Sequence, residues 1–279
     1  MGMHYLFNLT NPKLERYLHM GLFKKKKEQT NVTQSNKNRF VGFVLLSEAN
    51  WDREKLMDDL HTQWNICIEE VNKKQDDTVV FQVGKMIAVV GLMPVPVPGN
   101  EAEENARSNY LWPGAAEAAQ NHKAHLIVSI MGTEPDPLEQ GKLFVKLLAC
   151  CCSQKDVLGI YSSGTVFEPQ FYEDCAQIMK KNGLPLLNWI WFGLWQRESG
   201  ICCYTYGMTA FGKDEMEVLD ASAKPSDVRN FLLNMADYVL ENDITLHPGE
   251  TIGFSAEDKH AITRSEGIAL PGMTLKIEY

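Results

Sequence analysis

The sequence predicts an α+β fold: a tandem ferredoxin-like (βαββαβ) duplication with antiparallel sheets, closed by a C-terminal β-hairpin extension. Apolar strand-like runs and helical periods follow the same order in both halves of the chain. Matched glycines recur at near-equal spacing, with Gly42 and Gly91 separated by 49 positions and Gly159 and Gly207 by 48. Duplicated modules of that size bury faces against each other. The 279 residues, 44% of them hydrophobic, can furnish a proper core.

Residues 1–38 read as an N-terminal appendage and flexible basic linker. The stretch KKKKEQTNVTQSNKN holds a single apolar residue, Val32, and cannot bury enough surface to offset its ordering entropy. Met20-Gly21-Leu22-Phe23, just before it, has the look of a bacterial translation start, the alternative being Met1. The Gly-then-basic arrangement also invites a membrane anchor, but four lysines alone attract anionic lipid weakly.

The first unit spans 39–133. Phe40 to Leu46 is a continuous apolar strand, and Asn50 is placed to cap a helix carrying Leu56, Leu60 and Trp64 every four residues. Thr78 to Val83 and Met86 to Leu92 flank Gly84 as a hairpin. A Pro-rich, acidic excursion from Met93 to Trp112 follows. Pro113 then suits the first turn of an Ala-rich helix, Gly114 to His122, and Leu126 to Met131 supplies a fourth strand.

A connecting helix within 134–156 starts at Asp136, Pro137 and Glu139, the capping-box pattern. The second unit with its hairpin spans 157–279. Val157 to Tyr161 is its first strand, and a helix opens at Pro169 and ends in Lys180-Lys181-Asn182-Gly183, with cations in the last turn and glycine beyond it. Leu187 to Trp195 and Ile201 to Tyr206 form a hairpin, and Pro225 opens a helix striped by Val228, Phe231, Leu232, Met235 and Val239. Thr251 to Phe254 is the fourth strand, and Lys259 to Arg264 with Thr274 to Tyr279 form the added hairpin.

Bulk composition narrows the function classes. A net charge of −9 argues against nucleic acid or anionic lipid as the main partner. The longest apolar stretch, Leu184 to Trp195, is too short to span a bilayer and contains Pro185 and Asn188. No signal-peptide pattern opens the chain, so a cytoplasmic location is expected. The seven cysteines, dominated by adjacent pairs and lacking any Cys-x-x-Cys, read as reduced thiols rather than a disulfide or zinc framework.

Candidate binding residues fall in three places. Trp112, Trp189 and Trp191 would line an aromatic seam between the units. Core packing is the preferred reading of the strand from Asn188 to Trp195, whose two faces are both apolar; a ligand pocket is the alternative. Phe211, Asp214, Glu215 and Glu217 follow Gly207 and Gly212 in the most motif-like piece of the chain. Asp214 could open a short helix there. This piece holds the position in unit two that the acidic excursion holds in unit one; a structural crossover stapled by Phe211 is the preferred reading, and one groove bordered by the two loops is the alternative. His122 and His125 are three apart but straddle a helix end and a strand start, a poor metal geometry. Ser162-Ser163-Gly164-Thr165 reads as a turn rather than a phosphate loop. No nucleophile elbow or zinc-protease helix is present, so no catalytic residue, metal or cofactor is assigned.

At Gly207 to Glu217, Pro248 to Gly253 and Leu270 to Ile277 the chain resembles a bacterial family catalogued as domain of unknown function 4261, over approximately residues 200–279. The resemblance implies no reaction, cofactor or catalytic residue. Comparably small uncharacterised α+β families include immunity proteins, an analogy of size and class alone. The functional expectation is therefore a non-enzymatic protein-binding module of immunity or regulatory type, recognising a basic protein or toxin through the acidic excursion and the Phe211 loop. The alternative is a small-molecule-binding protein or enzyme using the cleft between units.

Overall fold

The computed structural model describes residues 40–70, 77–132, 136–255 and 257–279. The appendage, the basic linker and the two start sites lie outside the described residues.

Strand β1 (Phe40–Leu46) leads into helix α1 (Arg53–Trp64). Its cap is Asp52, not Asn50: the Asp52 carboxylate accepts the Lys55 amide at 2.9 Å. Strand β2 (Glu69–Glu70) precedes the expected hairpin, β3 (Thr78–Val83) and β4 (Met86–Met93). The excursion folds into a 3-10 turn and helix α2 (Glu101–Ala106), then helix α3 (Ala115–Asn121) and strand β5 (Ala124–Gly132). Helix α4 (Pro137–Cys151) follows. Asp136 caps it as expected, accepting from the Leu138 and Glu139 amides at 3.1 and 3.2 Å, while the Glu139 carboxylate turns to Lys142 instead of completing the box.

Strands β6 (Val157–Ser162) and β7 (Thr165–Phe167) form a tight hairpin whose turn residues Ser163 and Gly164 both have positive φ. Helix α5 (Pro169–Ala176) and a 3-10 turn end at Asn182, which takes the left-handed conformation expected nearer Gly183. A single helical turn, α6 (Leu186–Trp189), precedes strands β8 (Trp191–Arg197) and β9 (Gly200–Tyr206). A 3-10 turn at Met208–Phe211 leads to strand β10 (Met216–Ala221), then helix α7 (Pro225–Glu241). Strands β11 (Thr251–Ile252), β12 (His260–Glu266) and β13 (Met273–Ile277) complete the chain, the last two pairing as the expected terminal hairpin.

The α+β class, the largely antiparallel pairing and a C-terminal sheet stand; the strand order of a tandem ferredoxin-like duplication does not. The first sheet runs β2-β3-β4-β5-β1-β6-β7 and the second β11-β12-β13-β10-β9-β8. A split βαβ unit would seat its first strand beside its third. Here β5 separates β1 from β4, pairing antiparallel with both. Strand β6, expected to open the second unit, pairs with β1, so position 157 is no boundary between sheets. Element order and periodicity specify which faces are buried but leave the choice of neighbours open. Strand β1 is apolar on both faces and can take a partner on either side. In the second sheet β10 and β13 run parallel, and the other pairings are antiparallel.

Both faces of the first sheet around β1 are covered. Phe40, Val44 and Leu46 join the core formed with Leu143, Phe144, Leu147 and Leu148 of α4. Leu45 joins a second cluster on the opposite face with Val97, Ala102, Ala106, Ala115, Ala119, Tyr161 and Val166. The larger cluster continues without a break through Trp189, Trp191, Phe192, Val218, Leu232 and Leu275, so the two sheets share one core.

Candidate functional site

The aromatic seam is solid. Trp189 and Trp191 are each 3% exposed. Trp189 stacks obliquely on Phe211 with centroids 4.7 Å apart, and Phe211 meets Phe40 at 5.4 Å. Trp191 lies between Tyr110, at 5.0 Å, and Phe167, at 6.4 Å. Trp189 belongs to the α6 turn rather than to β8, which places its ring against Gly141 of α4. Trp112 is partly buried on the opposite face of the first sheet, beside the cluster formed by α2 and α3. The three tryptophans are therefore packing groups on two faces and do not line one pocket.

The two loops do not face each other along their length, although Tyr110 at the end of the excursion reaches Trp191 in the larger core. Phe211 packs on the α4 side of β1, whereas α2 and α3 pack on the other side. At 7% exposure Phe211 presents little to a partner.

The three acidic residues after Gly212 have separate fates. Asp214 is partly exposed and receives the Arg264 Nε–H at 2.9 Å. Glu215 is buried and reaches back to the 3-10 turn. Its carboxylate accepts the Gly207 amide at 2.8 Å, the Thr209 amide at 3.3 Å and the Thr205 hydroxyl at 2.7 Å. Burial pushes its pKa up, and those donors pull it back only in part. Glu217 is fully buried in β10. It accepts the Ala269 amide at 2.8 Å, the Ile268 amide at 3.1 Å and the Thr274 hydroxyl at 3.1 Å, with the Lys276 ammonium also 3.1 Å away. Two of the candidate binding residues, Glu215 and Glu217, are thus internal staples. The alternation of Met216 and Val218 around Glu217 was the available strand signal; the carboxylates masked it.

Two concavities lie away from the seam. One, of about 110 Å³, sits between Met208, Lys213, Met216, Val239, Leu246 and Leu275; the other is an open polar trough around Trp51, Arg53 and Gln154. Neither gathers a nucleophile with a base and an oxyanion donor. Among the described residues no three His, Cys, Asp or Glu side chains are grouped to hold a metal ion, and no helix is long and apolar enough to cross a membrane. The seven cysteines are free. Desolvation pushes Cys150 and Cys175 up to about 12, which keeps them protonated and unreactive.

The acidic excursion is largely solvent-facing, and it is firmly mounted. Val97, Ala102 and Ala106 are buried against the sheet. His122 Nε2 accepts the Val97 amide at 2.8 Å, and His125 Nδ1 donates to the Val95 carbonyl at 2.8 Å. The two histidines that fit no metal site clamp the base of this loop. Tyr161 donates to Glu101 at 2.6 Å, and Asn109 donates to the Val166 carbonyl at 2.7 Å. Helices α2 and α3 then leave Glu101, Glu104 and Glu117 exposed and Glu103 half-buried, against the one exposed cation Arg107 among these residues.

Residues 204–278 match the family described as domain of unknown function (DUF4261), in agreement with the resemblance read from the C-terminal residues. No curated protein and no solved structure gives a significant match.

Proposed function

We propose that this chain is a non-enzymatic protein-binding module of immunity or regulatory type, and that it takes a basic partner on the outer face of α2 and α3. The observation that carries this reading is the pairing of an exposed, predominantly acidic surface, Glu101, Glu104 and Glu117, with a rigid mounting by Val97, Ala102, Asn109 and the two histidines. A pre-ordered acidic face steers a cationic partner and loses little entropy on docking. The alternative, a small molecule held between the sheets, would need space that Trp189, Trp191 and Phe211 fill.

The test is capture from cells that naturally produce the protein, comparing wild type with E104K/E117K. Both positions are exposed, so the variant keeps its fold, which circular dichroism verifies. The expected result is a stoichiometric basic protein bound by wild type, weakened about tenfold or more by charge reversal. Equal recovery by both forms, or no stoichiometric partner, contradicts the reading.

A further inference from the structure

We propose that the cavity beside the 3-10 turn at Met208–Phe211 is a binding site for a short aliphatic monocarboxylate, with Lys213 receiving the acid group. Its floor is apolar: Met208, Met216, Val239 and Leu275 line it and are all buried. Ile244 and Leu246 flank it half-buried, and Lys213 and Thr245 stand at the rim. Main-chain bonds set these walls apart. The Lys213 amide donates to the Met208 carbonyl at 3.2 Å, the Ile244 amide to the Val239 carbonyl at 2.9 Å, and the Leu275 amide to the Glu215 carbonyl at 2.9 Å. A hole bounded by fastened backbone relaxes only in part, so the site is pre-formed.

Size and charge select the ligand. An apolar cavity of about 150 Å³ holds one benzene ring, so the 110 Å³ here takes a tail of roughly four carbons. Lys213 is the one cation among the residues lining it. Its side chain is only 10% exposed, a depth lysine seldom takes, yet its partner Asp243, 2.7 Å away, is 92% exposed. A pair with so exposed a carboxylate is weak, and it engages one of three ammonium protons. A ligand carboxylate at the rim takes another, while its tail lies along Met208 and Val239. Asp214, the one carboxylate among the lining residues, already receives the Arg264 Nε–H at 2.9 Å and repels an incoming anion little. A phosphate wants several donors where this rim supplies a single cation. The cavity is walled by β10, β13 and α7, so it owes nothing to the acidic face on α2 and α3.

The experiment titrates the full-length protein with acetate, propionate, butyrate, valerate and hexanoate at fixed ionic strength. NMR follows the Lys213 and Thr245 amides and the Met208 and Met216 methyl groups. Butyrate is expected to give saturable shifts at millimolar concentration. Each added CH₂ up to valerate should tighten binding about threefold to fourfold, and hexanoate should gain nothing further. Butyramide, similar in shape but uncharged, should bind about tenfold more weakly than butyrate. Lys213→Met should erase that preference for acid over amide, and Val239→Phe, which fills the cavity, should abolish binding of both. Should Val239→Phe fail to fold, the chain-length series on wild type and the Lys213→Met comparison decide alone. No saturable shift at about 50 mM butyrate, affinity that climbs through hexanoate without a break, equal binding of acid and amide, or an unchanged preference in Lys213→Met each overturns the site. No protein partner takes part in these measurements, so failure of the acidic-face reading leaves them intact.

Discussion

Glu217 is a carboxylate without solvent contact, and four donors converge on it: two amides of the β12–β13 loop, the Thr274 hydroxyl and the Lys276 ammonium. Removing one member of such a set strands the others in a dry interior. Glu217→Ala is expected to lower unfolding free energy by about 3–5 kcal/mol, measured in urea. A loss of under about 1 kcal/mol, the scale of exposed pairs, would show that the loop is held by something else. At this scale the sequence was legible where polarity and burial agree. Leu56, Leu60, Val228 and Leu232 are all buried as their spacing predicts. It was illegible where they disagree, because Glu215 and Glu217 find their donors on backbone that periodicity does not place.

Elements with local signals were readable in nearly their full extent. The hairpin around Gly84, the helix opened by Pro225 and the cap at Asp136 each rest on residues within a few positions of one another. Strand β10 was hidden because its pattern is broken by Asp220, which has positive φ at a register shift in its pairing with β9. The turn before it depends on Gly207, at φ 132°, where an added Cβ would lie 2.3 Å from the Trp189 carbonyl oxygen. A clash with backbone cannot be relieved by a rotamer change. Gly207→Ala should therefore destabilise by more than about 1 kcal/mol, read as a lower urea midpoint with an unchanged m-value. A neutral result would mean that β9 and α6 can separate freely.

At the scale of the whole molecule, the two sheets are not two repeats leaning together. Strands β6 and β7 extend the first sheet, α4 covers β1 and β5, and the tryptophan-rich stretch after Pro185 closes the joint. The DUF4261 match begins inside β9, one strand away from its pairing partner β8. The matched segment alone thus lacks part of the sheet on which α7 packs. Near-equal glycine spacing recorded a similar order of elements in each half, while long-range pairing, which no local pattern encodes, joined the halves through β1 and β6. Differential scanning calorimetry of the full-length chain tests this shared core most directly. A single transition with equal calorimetric and van't Hoff enthalpies is the expected result. Two resolved transitions would show that the sheets fold as separate units and that the aromatic seam is an interface rather than the core.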